Sequence, residues 1–168
     1  MVKNNYRRVV RHLTMSPRQL KRAFPPQTLN AIQAEIAASE CTHAGQIRFA
    51  VEGALQAVEL WRGQSPRERA LEVFSLLRAW DTEHNNGVLI YLLLADRDVE
   101  IVADRGIHAQ VGASAWEEIC LAMEQAFRLG RFEEGALEGI RAVTRLMAQH
   151  FPATAGGRNE LPDQPVLL

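Results

Sequence analysis

The sequence predicts an α/β fold, a mixed β-sheet with helices on both faces stacked as a three-layer sandwich. Three observations predict it. The run Gly87 to Ala95, "GVLIYLLLA", is apolar without alternation, as a strand covered on both faces must be. Two other segments, "QIRFAVE" (Gln46 to Glu52) and "DVEIVAD" (Asp98 to Asp104), alternate and are rich in β-formers. Segments of helical period precede, separate and follow them, which is the pattern of an α/β layer stack.

The elements follow in order. "YRRVVRHL" sets Tyr6, Val9, Val10 and Leu13 on one helical stripe among arginines. "SPRQ" at Ser16 starts a short helix with a capping residue, a first-turn proline and a glutamine three residues after the cap. "FPP" at Phe24 ends it, because a residue before proline is pushed out of α space. Leu29, Ile32 and Ile36 then stripe a helix from about Thr28 to Ser39. In the first strand Ile47, Phe49 and Val51 face one way, and Arg48, Ala50 and Glu52 the other. "SPRE" at Ser65 opens a helix through Trp80 with Ala70, Val73, Phe74 and Leu77 inward. The apolar run is the central strand, parallel to the first across a helical crossover. Asp96 and Arg97 turn the chain into an antiparallel third strand. "SAWE" at Ser114 reads as another capping box, opening a helix to Leu129. Gly130 breaks that helix, and a last one spans Phe132 to Gln149.

Residues 1–27 form a basic arm, 28–152 the α/β domain, and 153–168 a Pro- and Gly-rich irregular tail. The 168 residues carry a net charge of −1, which gives no global field for nucleic acid. That total conceals an asymmetry. Seven cations and no carboxylate precede residue 23, leaving twelve cations against twenty carboxylates in the rest. Such an arm is expected to dock mainly on protein, with at most weak, salt-sensitive peripheral membrane contact. No apolar stretch follows the N-terminal cations as in a secretory signal, and the longest apolar run is too short to span a bilayer, so a cytoplasmic location is expected. Cys41 and Cys120 make no disulfide framework.

A strand buried on both faces shows polar groups only at its ends. One end gathers Glu52 with Asp96, Arg97 and Asp98. The other gathers Glu40 and His43, then Asp81, Glu83, His84, Asn85 and Asn86, then Asp104, Arg105, Gly106 and His108. Carboxylate and amide oxygens suit Ca²⁺ or Mg²⁺, and the histidines would also admit a transition metal. Asp81, Asn85, Asn86 and Asp104 are therefore the candidate cation ligands. Arg105, Trp80, Glu40, Arg97 and Asp96 are the candidate pocket or anion-holding residues. The competing reading is a tight Asn-Asn-Gly turn with solvated acids.

"WDTEHNNGVLIYLLLADRDVEIVADRGI", a following helix with a tryptophan, and "FRLGRFEEGALEGIRAVTRLM" resemble the TPM domain family over about residues 30 to 150. The matching positions are Trp80, Asn86, Gly87, Arg97 and Gly106. Many members leave the third strand through Gly-aromatic-Gly, where this chain has Asp104-Arg105-Gly106. The resemblance implies a Rossmann-like sandwich of the short soluble bacterial variant. It implies a Ca²⁺-binding module acting through a partner such as a LemA-type membrane protein, in membrane-associated maintenance or stress. It implies as an alternative a weak metal-assisted acid phosphatase, with Arg105 steadying charge, and as a third possibility a structural adaptor without a ligand.

Overall fold

A computed structural model describes residues 2–153 and 159–168 of the chain, with side chains from residue 6 onward. The helices are α1 (Val2–Thr14), α2 (Pro17–Ala23), α3 (Pro26–Ser39), α4 (Ala57–Trp61), α5 (Pro66–Leu76), α6 (Arg105–Val111), α7 (Ala113–Arg128) and α8 (Phe132–His150). The strands are β1 (Gln46–Glu52), β2 (Gly87–Leu93), β3 (Asp98–Ala103) and β4 (Val166–Leu167). They form one open sheet in the order β3-β2-β1-β4. β1 and β2 run parallel from Gln46 opposite Gly87 to Glu52 opposite Leu93. β3 returns antiparallel, with Val88 opposite Ala103 and Leu93 opposite Asp98. This is the mixed α/β three-layer sandwich that the apolar run and its alternating neighbours predict.

Each face of the sheet has its own core. Ile47, Phe49, Val51, Val88, Ile90, Leu92, Val99 and Ile101 face α3, α7 and α8, which contribute Ile32, Ile36, Met123, Phe127, Ile140 and Val143. The opposite parity, with Ala50, Leu89, Tyr91, Leu93 and Val102, packs under α4 and α5 through Leu60, Ala70, Val73 and Phe74. All seven residues of β2 are buried, as its unbroken apolar run requires. β1 is also buried throughout, Arg48 and Glu52 included. Alternation in β1 reveals which way side chains point, not whether something covers the polar side.

Several local expectations change. The capping boxes at Ser16 and Ser65 form as read. Ser114 caps nothing: the cap lies two residues earlier, at Gly112 with φ 82°, and α7 starts at Ala113. That glycine reaches a left-handed conformation costly for other residues and so sets the break from α6. α5 ends at Leu76, short of Trp80. α4 and α6 arise where no helix was read, both being too short to show a hydrophobic period. The tail expected to be irregular ends in β4, parallel to β1 at Ala50 and Val51. Residues 154–158 of that tail, and the side chain of Lys3, lie outside the described residues.

β3 is one edge strand of the sheet. Its outward Val99 N–H donates to Glu124 Oε1 at 3.4 Å, and its outward Ile101 carbonyl accepts from Arg67 Nη1 at 2.6 Å.

The basic arm packs against the carboxyl end of β1. Met15 and Leu20 lie over Gly53, and Phe24, 1% exposed, joins the rings of Phe49, Phe127 and Phe132.

Candidate functional site

The loop from residue 81 to 86 and the start of α6 meet at one end of the sheet, because the hairpin carries β3 back beside the entry of β2. Backbone bonds lock the two together. Asp104 N–H donates to the Gly87 carbonyl at 2.9 Å, and Gly106 N–H to the Asn85 carbonyl at 3.1 Å. Two glycines permit the approach. A Cβ at Gly87 would collide with the Ala79 carbonyl oxygen, and one at Gly106 would stand 2.6 Å from the Asn85 carbonyl oxygen. Asn85 takes the left-handed conformation, φ 51°, which asparagine tolerates better than most residues.

Asn86 and Asp104 are buried at this junction, at 0% and 8% exposure. Asn86 clasps the loops: its N–H donates to Thr82 Oγ1 and its Nδ2 to the Ala44 carbonyl, both at 3.1 Å. Asp104 caps α6, its Oδ1 accepting from Arg105 N–H at 2.7 Å. Among the described residues, Asn86 Oδ1 and Asp104 Oδ2 are buried acceptors with no hydrogen-bond partner. Buried acceptors rarely go unpaired, and these two are hard oxygen donors of the kind that hold Ca²⁺ or Mg²⁺. Asp81, Asn85 and Arg105 are exposed on the same two segments. Among the described residues no three His, Cys, Asp or Glu side chains converge as a ready metal cluster.

The remaining pocket candidates are Trp80, Glu40, Asp96 and Arg97. Trp80, 49% exposed, stands on the surface after α5. Glu40 is the C-cap residue of α3 and lies near Asp163 of the tail. Burial first, and then that neighbouring carboxyl, push its pKa up to about 7. Arg48, buried on β1, donates to the Pro162 carbonyl nearby. Asp96 and Arg97 occupy the β2–β3 turn, at the far end of the sheet. Asp96 is already engaged by Arg8 Nε at 2.8 Å, Arg11 Nη2 at 2.9 Å and His12 Nε2 at 3.1 Å. Burial opposes its charge, yet the contacts to His12 and Arg8 hold its pKa below the usual aspartate value. Arg97 is exposed at the tip of the turn with φ 53°.

Sequence reasoning missed the network that closes the carboxyl end of β1. Tyr91 O–H donates to Glu52 Oε2 at 2.7 Å, and Arg69 grips the same carboxylate through Nε (2.8 Å) and Nη2 (3.0 Å). One signal was available: a tyrosine in an otherwise aliphatic buried strand needs a partner for its hydroxyl, and Glu52 lies on its face of the sheet. His12 gave no such signal. It is 3% exposed, and its Nδ1 accepts from Leu55 N–H at 3.0 Å.

Two surface grooves run along other parts of the molecule. One, of about 500 Å³, lies between α7 and α8, and one of about 490 Å³ follows β3 and α7. Neither is lined by Asp81, Asn85, Asn86, Asp104 or Arg105.

The TPM domain profile matches residues 19–146. No curated protein matches the chain in sequence. Among solved structures, the BA42 protein from the psychrophilic bacterium Bizionia argentinensis is 28% identical with a TM-score of 0.71, covering 84% of this chain and 93% of its own. The N-terminal domain of a P. gingivalis protein is 21% identical with a TM-score of 0.55, covering 72% and 76%, and shares the fold. The profile spans both partners of the loop junction and most of the chain, from α2 into α8: this chain belongs to the TPM domain family.

Proposed function

We propose that this TPM domain is a divalent-cation-binding module that works through a partner protein, and that its cation sits where the 81–86 loop meets α6. The observation that carries this is the free Oδ2 of Asp104, a buried carboxylate oxygen with no donor at the start of α6, with a second unpaired oxygen, Asn86 Oδ1, on the loop bonded to it. Asp81 and Asn85 supply further oxygens from the adjoining surface. An all-oxygen set favours Ca²⁺ or Mg²⁺ over softer metals. The joint is stiff, so a cation there would tie two loops together and present a changed surface to a partner of the membrane-protein kind. The phosphatase alternative uses the same cation and adds Arg105, exposed beside Asp104, to hold a phosphoryl oxygen. Burial pushes the Cys120 thiol up to about 12, which removes it as a nucleophile at neutral pH.

Amide NMR spectra recorded during titration with CaCl₂ or MgCl₂ test the reading. Shifts should concentrate at residues 81–86 and 104–107, and Asp104→Asn should weaken binding about tenfold or more with the rest of the spectrum unchanged. Unmoved amides at these positions under millimolar cation would defeat it. Hydrolysis of a generic phosphomonoester that requires the cation and fails in Arg105→Ala would favour the enzyme.

A further inference from the structure

Helix α1 is docked the wrong way round for a helix that lies on its own domain. A surface helix normally buries its apolar stripe and shows its polar face. Here Arg8 and His12 point inward to Asp96. Tyr6, Val10 and Leu13, at i, i+4 and i+7, point outward and are 72%, 40% and 69% exposed. The polar contact fixes the helix, and the fixed helix holds its apolar stripe in solvent. Arg7 and Arg11 flank that stripe, and both are exposed. Three more exposed cations, Arg18, Lys21 and Arg22, follow on α2. Arg7, Arg18, Lys21 and Arg22 form no ion pair among the described residues, and no carboxylate occurs before Glu35.

We infer that this outward face of the arm is a docking surface for an anionic lipid bilayer. Two features select a bilayer over a second copy of the chain. The stripe offers on the order of a few hundred Å² of side-chain surface, well short of the ~800 Å² per partner that a stable protein interface buries. A shallow apolar stripe edged by cations is sufficient on a membrane, because each Lys or Arg near an anionic surface raises affinity about fivefold. Charge points the same way, since the exposed surface of the arm carries cations alone. The Asp96 clamp gives the contact a direction. It pins the arm to the β2–β3 turn, and the seven residues of β2 place the Asn86–Asp104 joint about 20 Å away at the other end of the sheet. The candidate cation site therefore stays open to solution while the arm lies on lipid.

Co-sedimentation of the full chain with vesicles tests the inference. Phosphatidylcholine vesicles containing one third phosphatidylserine should carry the protein down, and pure phosphatidylcholine vesicles should not. Binding should fall as added salt shortens the screening length. The double variant Tyr6→Ser/Leu13→Ser should lose about tenfold in affinity, and Arg7→Glu at least as much. All three side chains are exposed, so the arm should remain docked, which unchanged protection of the Leu55 amide from hydrogen exchange would show. Failure of the unaltered chain to bind phosphatidylserine vesicles overturns the inference, as does a Tyr6→Ser/Leu13→Ser variant that binds equally well. A concentration-dependent dimer dissolved by that double variant, without vesicle binding, overturns it in favour of a second copy.

Discussion

Replacing Asp96 with alanine should release the arm without unfolding the domain. The carboxylate, 8% exposed, receives Arg8, Arg11 and His12. The Arg11 pair is mostly in solvent, the Arg11 side chain being 56% exposed, and contributes about 0.5 kcal/mol. The Arg8 pair is largely buried, and stripping it would leave a cation uncompensated, at about 3 kcal/mol. The arm can swing outward and hydrate Arg8, so the loss is capped at the free energy of docking. We therefore expect about 3 kcal/mol of local destabilisation. The reporter is the Leu55 amide, whose partner is His12 Nδ1. At 1.4 kcal/mol per decade its protection from hydrogen exchange should fall about a hundredfold. Amides of β1 and β2 should keep theirs. Unchanged protection at Leu55, or an equal fall in β2, would refute the reasoning. The pH sign is fixed: Asp96 has a folded pKa below its ordinary value of 3.8. The clamp's contribution is therefore complete above that value and is lost as pH falls through the lower folded one.

Other outcomes follow from the same contacts. Glu40 has a folded pKa raised from 4.5 to about 7, so its contribution is present below pH 4.5 and lost as pH rises through 7. Glu40→Gln should stabilise the fold at pH 8 by about 1 kcal/mol, once solvent screening of this part-exposed group is allowed for, and leave stability unchanged at pH 4, as urea denaturation at the two pH values would show. Tyr91→Phe removes one of the hydrogen bonds to Glu52 and should cost about 1 kcal/mol in urea denaturation. Arg69→Ala, which leaves the 4%-exposed Glu52 carboxylate without its cation, should cost about 3–5 kcal/mol. Gly87→Ala drives a methyl group into the Ala79 carbonyl and should cost upwards of about 3 kcal/mol.

The fold was legible because its central element declares itself. An aliphatic run with no polar side has only one comfortable place in a sheet, and the alternating segments beside it fix their own facing. Capping boxes at Ser16 and Ser65 announced two helix starts because each combines a capping hydroxyl, a proline and a reach-back residue. The same motif at Ser114 misled, since the left-handed Gly112 offered an earlier start. The loop junction was legible through topology: a hairpin must return β3 to the entry of β2, which brings Asp104 beside Gly87. Other pairings depend on contacts distant in sequence. Nothing local says that Asp96 is claimed by Arg8, eighty-eight residues away, or that Glu40 meets Asp163. Nor can composition tell that a two-residue strand at Val166 pairs with Ala50 and Val51 of β1, since two residues carry no period.

The open edge of β3 bears on how this protein behaves in concentrated solution. An unpaired strand edge is a template for another molecule's strand. A net charge of −1 gives neighbouring copies little reason to repel. Glu124 takes the Val99 N–H and Arg67 takes the Ile101 carbonyl, so two long side chains occupy bonds that an incoming strand would need. The groups that block this edge come from α5 and α7, helices whose other task is to cover the two faces of the sheet.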